Sequence, residues 1–323
     1  MNNDPVSNRA TLIINSPAQF ALKSLIEGVA MRFRTCLAWA VLAIFPAAGC
    51  SPDNSTESGL SGAYIGQDDV TFFGAGKVAR FQQQSDSSLE NMGPLFFAEI
   101  FIATGGEITD ANIQFPQPVG DVRELLYRHS ASDEIGDVMY LSGNADTVDE
   151  LEQNFPPGEY LFSFRTGGDN VINHAVSFKN RTFAKQPIII FQQNEQTIAI
   201  DQVDPTVDLV VTWPPFIEGR ADPKGVLDDL IFVAIDSCTV EDIVHSGRPY
   251  EKDDYLTFRA TEYVVGAGTL LPGQEYAMYV EHAILADTHD VSGIPAFATL
   301  AASTYMDFQT IGESDPNYCG EQP

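Results

Sequence analysis

From about residue 66 the chain alternates short apolar runs with clusters of Gly, Pro, Asn and Asp, roughly every 8–15 residues. Such runs predict strands at 70–73, 78–82, 96–103, 123–129, 138–142, 160–165 and 173–178. A second set is predicted at 188–191, 197–201, 209–213, 230–236, 255–260, 276–282 and 305–309. Many short strands with frequent turn residues favour an all-β sandwich over alternating βαβ units. One helical interruption is predicted, because Val148, Leu151 and Phe155 fall at i, i+3 and i+7 in an acidic stretch. Pro187 and the preceding 183–186 form a seam. The chain therefore divides into one sandwich over 66–185, a second over 186–312 and a tail at 313–323, all strands being expected to pair antiparallel.

A weak internal repeat supports that division. Phe155-Pro156-Pro157-Gly158-Glu159-Tyr160 is echoed by Leu270-Leu271-Pro272-Gly273-Gln274-Glu275-Tyr276. In both copies a Pro-Gly turn leads into a strand beginning with Tyr. The spacing of the two tyrosines, 116 residues, is about one sandwich domain.

The N-terminal region has a different pattern. Met31-Arg32-Phe33-Arg34 is a short basic start, 35–45 is uncharged and mostly apolar, and Pro46-Ala47-Ala48-Gly49-Cys50 closes it with small residues. The apolar run is too short for a membrane span, which needs about 20 residues, and suits a signal peptide. Ala47-Ala48-Gly49-Cys50 resembles the lipobox of bacterial lipoproteins. That resemblance implies cleavage between Gly49 and Cys50, acylation of Cys50 and a lipid anchor. Residues 31–49 are then the signal peptide and 50–65, small and Gly/Ser-rich, a flexible tether. Residues 1–30 fit none of this and are expected to be a misassigned N-terminal extension, with translation starting at Met31. Ser51, rather than Asp, would favour the outer membrane, facing either the periplasm or the cell surface.

A second resemblance lies further on. Asp208-Leu209-Val210-Val211-Thr212-Trp213-Pro214-Pro215 is similar to strand B of a fibronectin type III domain, with Trp213 set to fill the core. Leu270, Pro272 and Tyr276 resemble the same family's turn into strand F, where the tyrosine forms a corner with upstream backbone. The likeness covers about residues 187–311, with 219–229 and 239–254 as insertions. The first half, through Tyr160, is similar only to a looser immunoglobulin-like relative. If the resemblance holds, strands C and G end together on either side of F. Cys238, closing C, and Cys319, in the tail, then become a feasible disulfide.

Charge narrows the functional classes. The chain has 17 basic and 45 acidic residues, a formal charge of −28, and the first 49 residues carry +2 of it. A mature chain so negative repels phosphate backbones, which argues against nucleic acid as a partner. The richest candidate for chemistry is Glu281, His282, Asp287, His289 and Asp290, at the expected end of a strand and its following loop. Two imidazoles and three carboxylates suit zinc, though without the spacing of a known motif. Asp201, Asp204 and Asp208, the pair at 228–229 and the pair at 253–254 are acidic groups suited to calcium, yet none has the loop spacing of a calcium hand. Otherwise no cofactor is expected. No nucleophile elbow or zinc-protease motif occurs, so no catalytic residue is assigned. Tyr250, Phe216 and Tyr255 are candidates for a sugar platform. The expected function is a membrane-anchored envelope lipoprotein that binds a protein or glycan partner or acts as a spacer. The alternative is a surface glycan-acting or metal-dependent hydrolase.

Overall fold

The structure is a computed structural model that describes residues 69–129, 137–167, 170–179, 181–240, 243–250, 255–291, 293–315 and 318. Among the described residues, every regular element apart from one short helix, α1 (Val148–Asn154), is a strand. The main sheet runs in the order β14 (Val244–His245), β13 (Leu230–Ser237), β17 (Glu275–Val291), β18 (Ile294–Gln309), β1 (Val70–Gln83), β3 (Leu95–Ile102), β7 (Val138–Asn144) and β6 (Leu126–Arg128). Two short strands attach to its sides, β2 (Leu89–Asn91) to β1 and β15 (Leu256–Thr257) to β13. One four-stranded sheet orders β5 (Val122–Glu124), β4 (Ile108–Gln114), β8 (Glu159–Thr166) and β9 (Asn170–Ser177). The other orders β11 (Gln196–Ile198), β10 (Ile190–Gln193), β12 (Leu209–Thr212) and β16 (Glu262–Val265).

This is the all-β sandwich architecture that the alternation predicts. Each half has its own second layer and its own core. In the first, Phe73, Phe96 and Ile100 of the main sheet pack against Ile113, Tyr160, Phe162 and Phe164. In the second, Ile231, Val233 and Met278 pack against Phe191, Leu209, Val211 and Trp213. Sheet-on-sheet packing needs an apolar residue at every second position of each inner face, and these strands supply it.

The way the halves join has no counterpart in the sequence reading. β1, from the first half, pairs in parallel with β18, the last strand of the second, from Phe73 opposite Ala296 to Gln82 opposite Tyr305. Because β18 is 16 residues long, its alternate residues serve both cores in turn. Ile294, Ala296, Ala298 and Leu300 lie in the first core, and Ala302, Met306 and Phe308 in the second. The linker at the predicted seam is tied to the same sheet. Gln83 exchanges two hydrogen bonds with the Ile189 backbone, each 2.8 Å, and Thr304 Oγ1 donates to the Pro187 carbonyl at 2.6 Å.

Several local expectations are corrected. Gly74-Ala75-Gly76 is the interior of one continuous strand, not a turn between two, because a Cβ on Gly74 would stand 2.3 Å from the Phe297 carbonyl oxygen. Only glycine permits that approach. The run at 123–129 is two strands in different sheets, pivoting on fully buried Leu125. β17 does not end at 282 but continues to Val291 and turns at Gly293, φ +90°, into β18. The helix forms as the spacing implies, capped by Thr147 and burying Leu151 and Phe155, while Val148 stays exposed. The back of the main sheet is covered from 220–230 and the 250s, where Leu227, Leu230, Tyr250 and Tyr255 pack around Phe72, Leu285 and Phe297.

Candidate functional site

Strand alternation decides the fate of the predicted metal group. Glu281 projects on the back face of the main sheet, where it accepts a hydrogen bond from Ser303 Oγ. His282 projects on the opposite face into the second core, 3% exposed, its ring stacked on Phe216 with centroids 4.3 Å apart. A bulge between Leu285 and Asp287 shifts the register, so Asp287 and His289 stand opposite Ala298 and Ala296, on the first core's side. There Asp287 Oδ2 contacts His289 Nε2 at 2.8 Å and accepts from the Ser177 amide, and Lys224 approaches Oδ1 at 3.1 Å. His174 of β9 lies edge-on to His289 at 5.2 Å. Asp290 accepts from Gly293 N–H in the hairpin. Only Asp287 and His289 come together, while Glu281, His282 and Asp290 lie elsewhere, and among the described residues no three His, Cys, Asp or Glu side chains group to hold an ion.

The acidic loops are likewise spoken for by backbone and cations. Asp204 accepts from the Thr206 amide, Asp208 from the Ala267 amide, and Asp228 from the Asp222 amide and the Arg259 guanidinium. Residues 253–254 lie outside the described residues. The aromatic trio does not form an open platform. Phe216 is buried on His282, and Tyr250 and Tyr255 pack on the back-face cluster.

A cavity of about 400 Å³ is present instead where the linker, the 216–219 turn and β17 meet, lined by Arg181, Thr182, Glu218 and Ile284. Its rear wall is held by Asp229, 2% exposed. Asp229 Oδ2 accepts from the Arg220 amide at 3.0 Å and from Arg181 Nη2 at 2.9 Å, while Oδ1 accepts from the Leu285 amide at 2.7 Å. One carboxylate therefore fixes the linker, the 219–229 segment and the bulged part of β17 together. Two polar atoms here are buried without a partner, Arg181 Nη1 and His282 Nε2. The other ring nitrogen of His282 bonds the Lys185 backbone. Burial holds this imidazole down to about 4, against the smaller opposing pull of Glu218, so it is neutral at physiological pH.

A second polar group lies on the back face. Glu99 of β3 and Glu281 of β17 are both half-buried there, among Tyr140, Tyr305 and Arg80. Burial pushes the Glu99 carboxyl up to about 8; nearby Arg248 opposes this and Glu281 adds to it. Burial also raises Glu281, against its bond from Ser303. Sequence reasoning missed Glu99, Arg181 and Glu218, and saw Asp229 only as half of an acidic pair. The only signal for Glu99 was one charge inside Leu95-Phe96-Phe97-Ala98-Glu99-Ile100-Phe101-Ile102.

Trp213, Tyr160 and Tyr276 are all buried. Trp213 is 4% exposed in the second core, and its indole N–H donates to the Ala260 carbonyl. Both tyrosines close corners onto upstream backbone. Tyr160 donates to the Pro156 carbonyl at 2.8 Å, and Tyr276 accepts from the Leu271 amide at 2.8 Å. β13, β17 and β18 are neighbours in that order, with Ser237 opposite Tyr276 and Tyr276 opposite Phe308. Cys238 follows Ser237. Gly49, Cys50 and Cys319 lie outside the described residues, as do the signal peptide, the tether and the 1–30 extension.

No model of a known protein family matches the chain, and no curated protein matches it. Among solved structures it is similar to the FN1–FN3 domains of chicken CNTN1, at 12% identity and a TM-score of 0.19. That match covers 68% of this chain and 63% of the other, so the chain spans less than two thirds of that structure's length.

Proposed function

We propose that the protein is a lipid-anchored lipoprotein of the bacterial envelope whose β body binds a protein or glycan partner or acts as a spacer. The observation that carries this reading is Ala47-Ala48-Gly49-Cys50 directly after a basic start and a short uncharged apolar run. Acyl chains on Cys50 hold the body to the membrane, and Ser51 directs it to the outer membrane. The fused double sandwich supports the reading, because one continuous sheet through both halves makes a stiff element rather than two hinged beads. We also propose the Cys238–Cys319 disulfide. Cys238 follows the residue that faces Tyr276, and Tyr318, next in the chain to Cys319, lies within electrostatic reach of the Tyr276 hydroxyl.

Growth with labelled palmitate tests the anchor. Label on the wild-type chain and none on Cys50→Ser, with Cys50→Ser released into the soluble fraction, is the expected result. Equal membrane retention of the two would remove the reading.

A further inference from the structure

We infer that the protein is built to carry tension, with the pairing of β1 and β18 as the clamp through which a pull on its two ends passes. This rests on the reading of the chain as an anchored spacer and says what that spacer does.

The direction of the strands decides how a pull is felt. β1 is the first strand of the body and β18 the last, and they run parallel over ten residue pairs, from Phe73 opposite Ala296 to Gln82 opposite Tyr305. The chain therefore enters β1 at one end of the ladder and leaves β18 at the other. A pull on those two ends slides one strand along its neighbour and strains every hydrogen bond of the ladder at once. A pull applied to both strands at the same end opens a ladder one bond at a time. The load also takes a short path, because it crosses from β1 straight into β18. Two sandwiches joined in series would load the linker between them, whereas here the seam around Pro187 lies off the path.

Both strand ends are pinned where the load enters. Ahead of β1, the Asp69 carboxylate accepts the Glu107 and Gly167 amides at 3.0 and 2.8 Å, and its carbonyl accepts the Ala103 amide at 3.0 Å. At the far end of β18, the Gln309, Thr310 and Ile311 amides donate to the Ile200, Gln274 and Val203 carbonyls at 2.9, 3.0 and 2.8 Å. One end of the path is thus tied to the first half of the molecule and the other end to the second.

The ladder between these pins is shielded from solvent on both faces. Phe73, Ala75 and Val78 of β1 and Ala298, Ala301 and Ala302 of β18 are each 4% exposed or less, and they are shared among three apolar clusters. Backbone hydrogen bonds covered in this way cannot be traded one by one for bonds to water as the strands begin to slide. Gly74 brings the two backbones close within the same stretch, since a Cβ there would stand 2.3 Å from the Phe297 carbonyl oxygen.

Single-molecule force spectroscopy tests the inference on the full-length chain carrying Cys50→Ser. Reducing buffer ensures that force on the tail reaches β18 and not Cys238. With handles on the two termini, the body should unfold in one main rupture as the β1–β18 ladder shears. Moving the first handle to the exposed turn at 85–88 pulls the same ladder from one end, and the rupture force should fall at least about twofold, because forced unfolding follows the barrier along the loaded direction. Gly74→Ala wedges β1 away from β18 and should lower the end-to-end force more than the one-ended force. If that variant does not fold, the comparison of handle positions on the unaltered body still decides. Equal forces for the two handle positions would overturn the inference, as would two separate ruptures under end-to-end pulling or an end-to-end force that Gly74→Ala leaves unchanged. None of these results touches palmitate labelling of Cys50, so failure here is distinguishable from failure of the anchoring reading.

Discussion

Among the described residues, two buried ion pairs are built differently, one in the first half and one where the linker meets the second. In the first half Lys77, whose side chain is 0% exposed, meets Glu152 of α1 at 2.8 Å, and Glu152 stays 32% exposed. In the second half Asp229 and Arg181 are 3% and 11% exposed, and Asp229 also accepts two backbone amides. The first pair is a clasp between helix and sheet with one partner still in water. The second is an interior knot through which three chain segments are fixed. Desolvation is therefore greater in the second pair, and so is the number of groups orphaned when it is cut.

The largest expected effect follows from that difference. Asp229→Ala leaves an unpaired guanidinium and two unsatisfied amides in the interior, and should cost about 3–5 kcal/mol in urea unfolding. A loss below about 1 kcal/mol would mean that the knot is not what holds the linker. Glu152→Ala should cost less, about 2–3 kcal/mol, because the Lys77 amine can relieve its isolation by losing a proton. Burial already lowers the Lys77 pKa, against the bond from Glu152. Lys77→Met together with Glu152→Ala should recover most of the loss, since a flexible apolar side chain fits the same slot beside Phe178. A double variant as unstable as the single one would show that the clasp stabilises by more than mutual compensation.

The two tyrosine corners sharpen the comparison on a smaller scale. Their motifs look alike in sequence, but the hydroxyls act in opposite senses, Tyr160 as donor and Tyr276 as acceptor. Pro156 is buried, whereas Leu271 is 42% exposed. Tyr160→Phe therefore strands a carbonyl away from water and should cost about 1.5 kcal/mol. Tyr276→Phe leaves an amide that water can reach, and about 0.5 kcal/mol is expected. Faster hydrogen exchange at Leu271 in Tyr276→Phe would report the freed amide directly. Equal losses in the two variants would contradict the assignment of roles.

The same contrast shows what was legible from sequence. Strand alternation, the helix at 148 and the Pro-Gly-Tyr turns are local patterns, and they appear in the fold nearly where they stand in the chain. The parallel pairing of β1 with β18 joins segments more than 200 residues apart and leaves no local trace. β18 itself was half hidden, because 294–304 is rich in Ala, Ser and Thr rather than in the residues that usually mark strands. Those small side chains are what allow one strand to lie under two cores. The expected metal residues are spread over two faces for a related reason. Residues close in sequence on a strand point to opposite faces, and the bulge after Leu285 moved two of them to the other core. Asp229 was visible only as half of an Asp-Asp pair, and nothing in the sequence says which of the two turns inward.

The last effect reads across the junction of the halves. Glu99 belongs to the first half and Glu281 to the second, yet both stand on the back face of the shared sheet and repel one another. The Glu99 carboxyl is raised to about 8 in the fold from an ordinary 4.5. Between those values the folded protein keeps a proton that the unfolded chain has released, so this residue destabilises increasingly as pH rises through that window. The penalty is absent below about 4.5 and complete above about 8. Because the group is only half-buried, water relaxes part of the burden, and a loss on the order of 1–2 kcal/mol by pH 9 is a fair scale. Glu99→Gln should therefore gain stability relative to wild type at pH 8–9 and match it near pH 5. In Glu281→Gln the Glu99 titration should move down in pH, because the repelling neighbour is gone, whereas Arg248→Ala should move it up. If Glu281→Gln left the Glu99 transition where it was, the two halves would be electrostatically independent. The shared sheet would then join their backbones without coupling their charges.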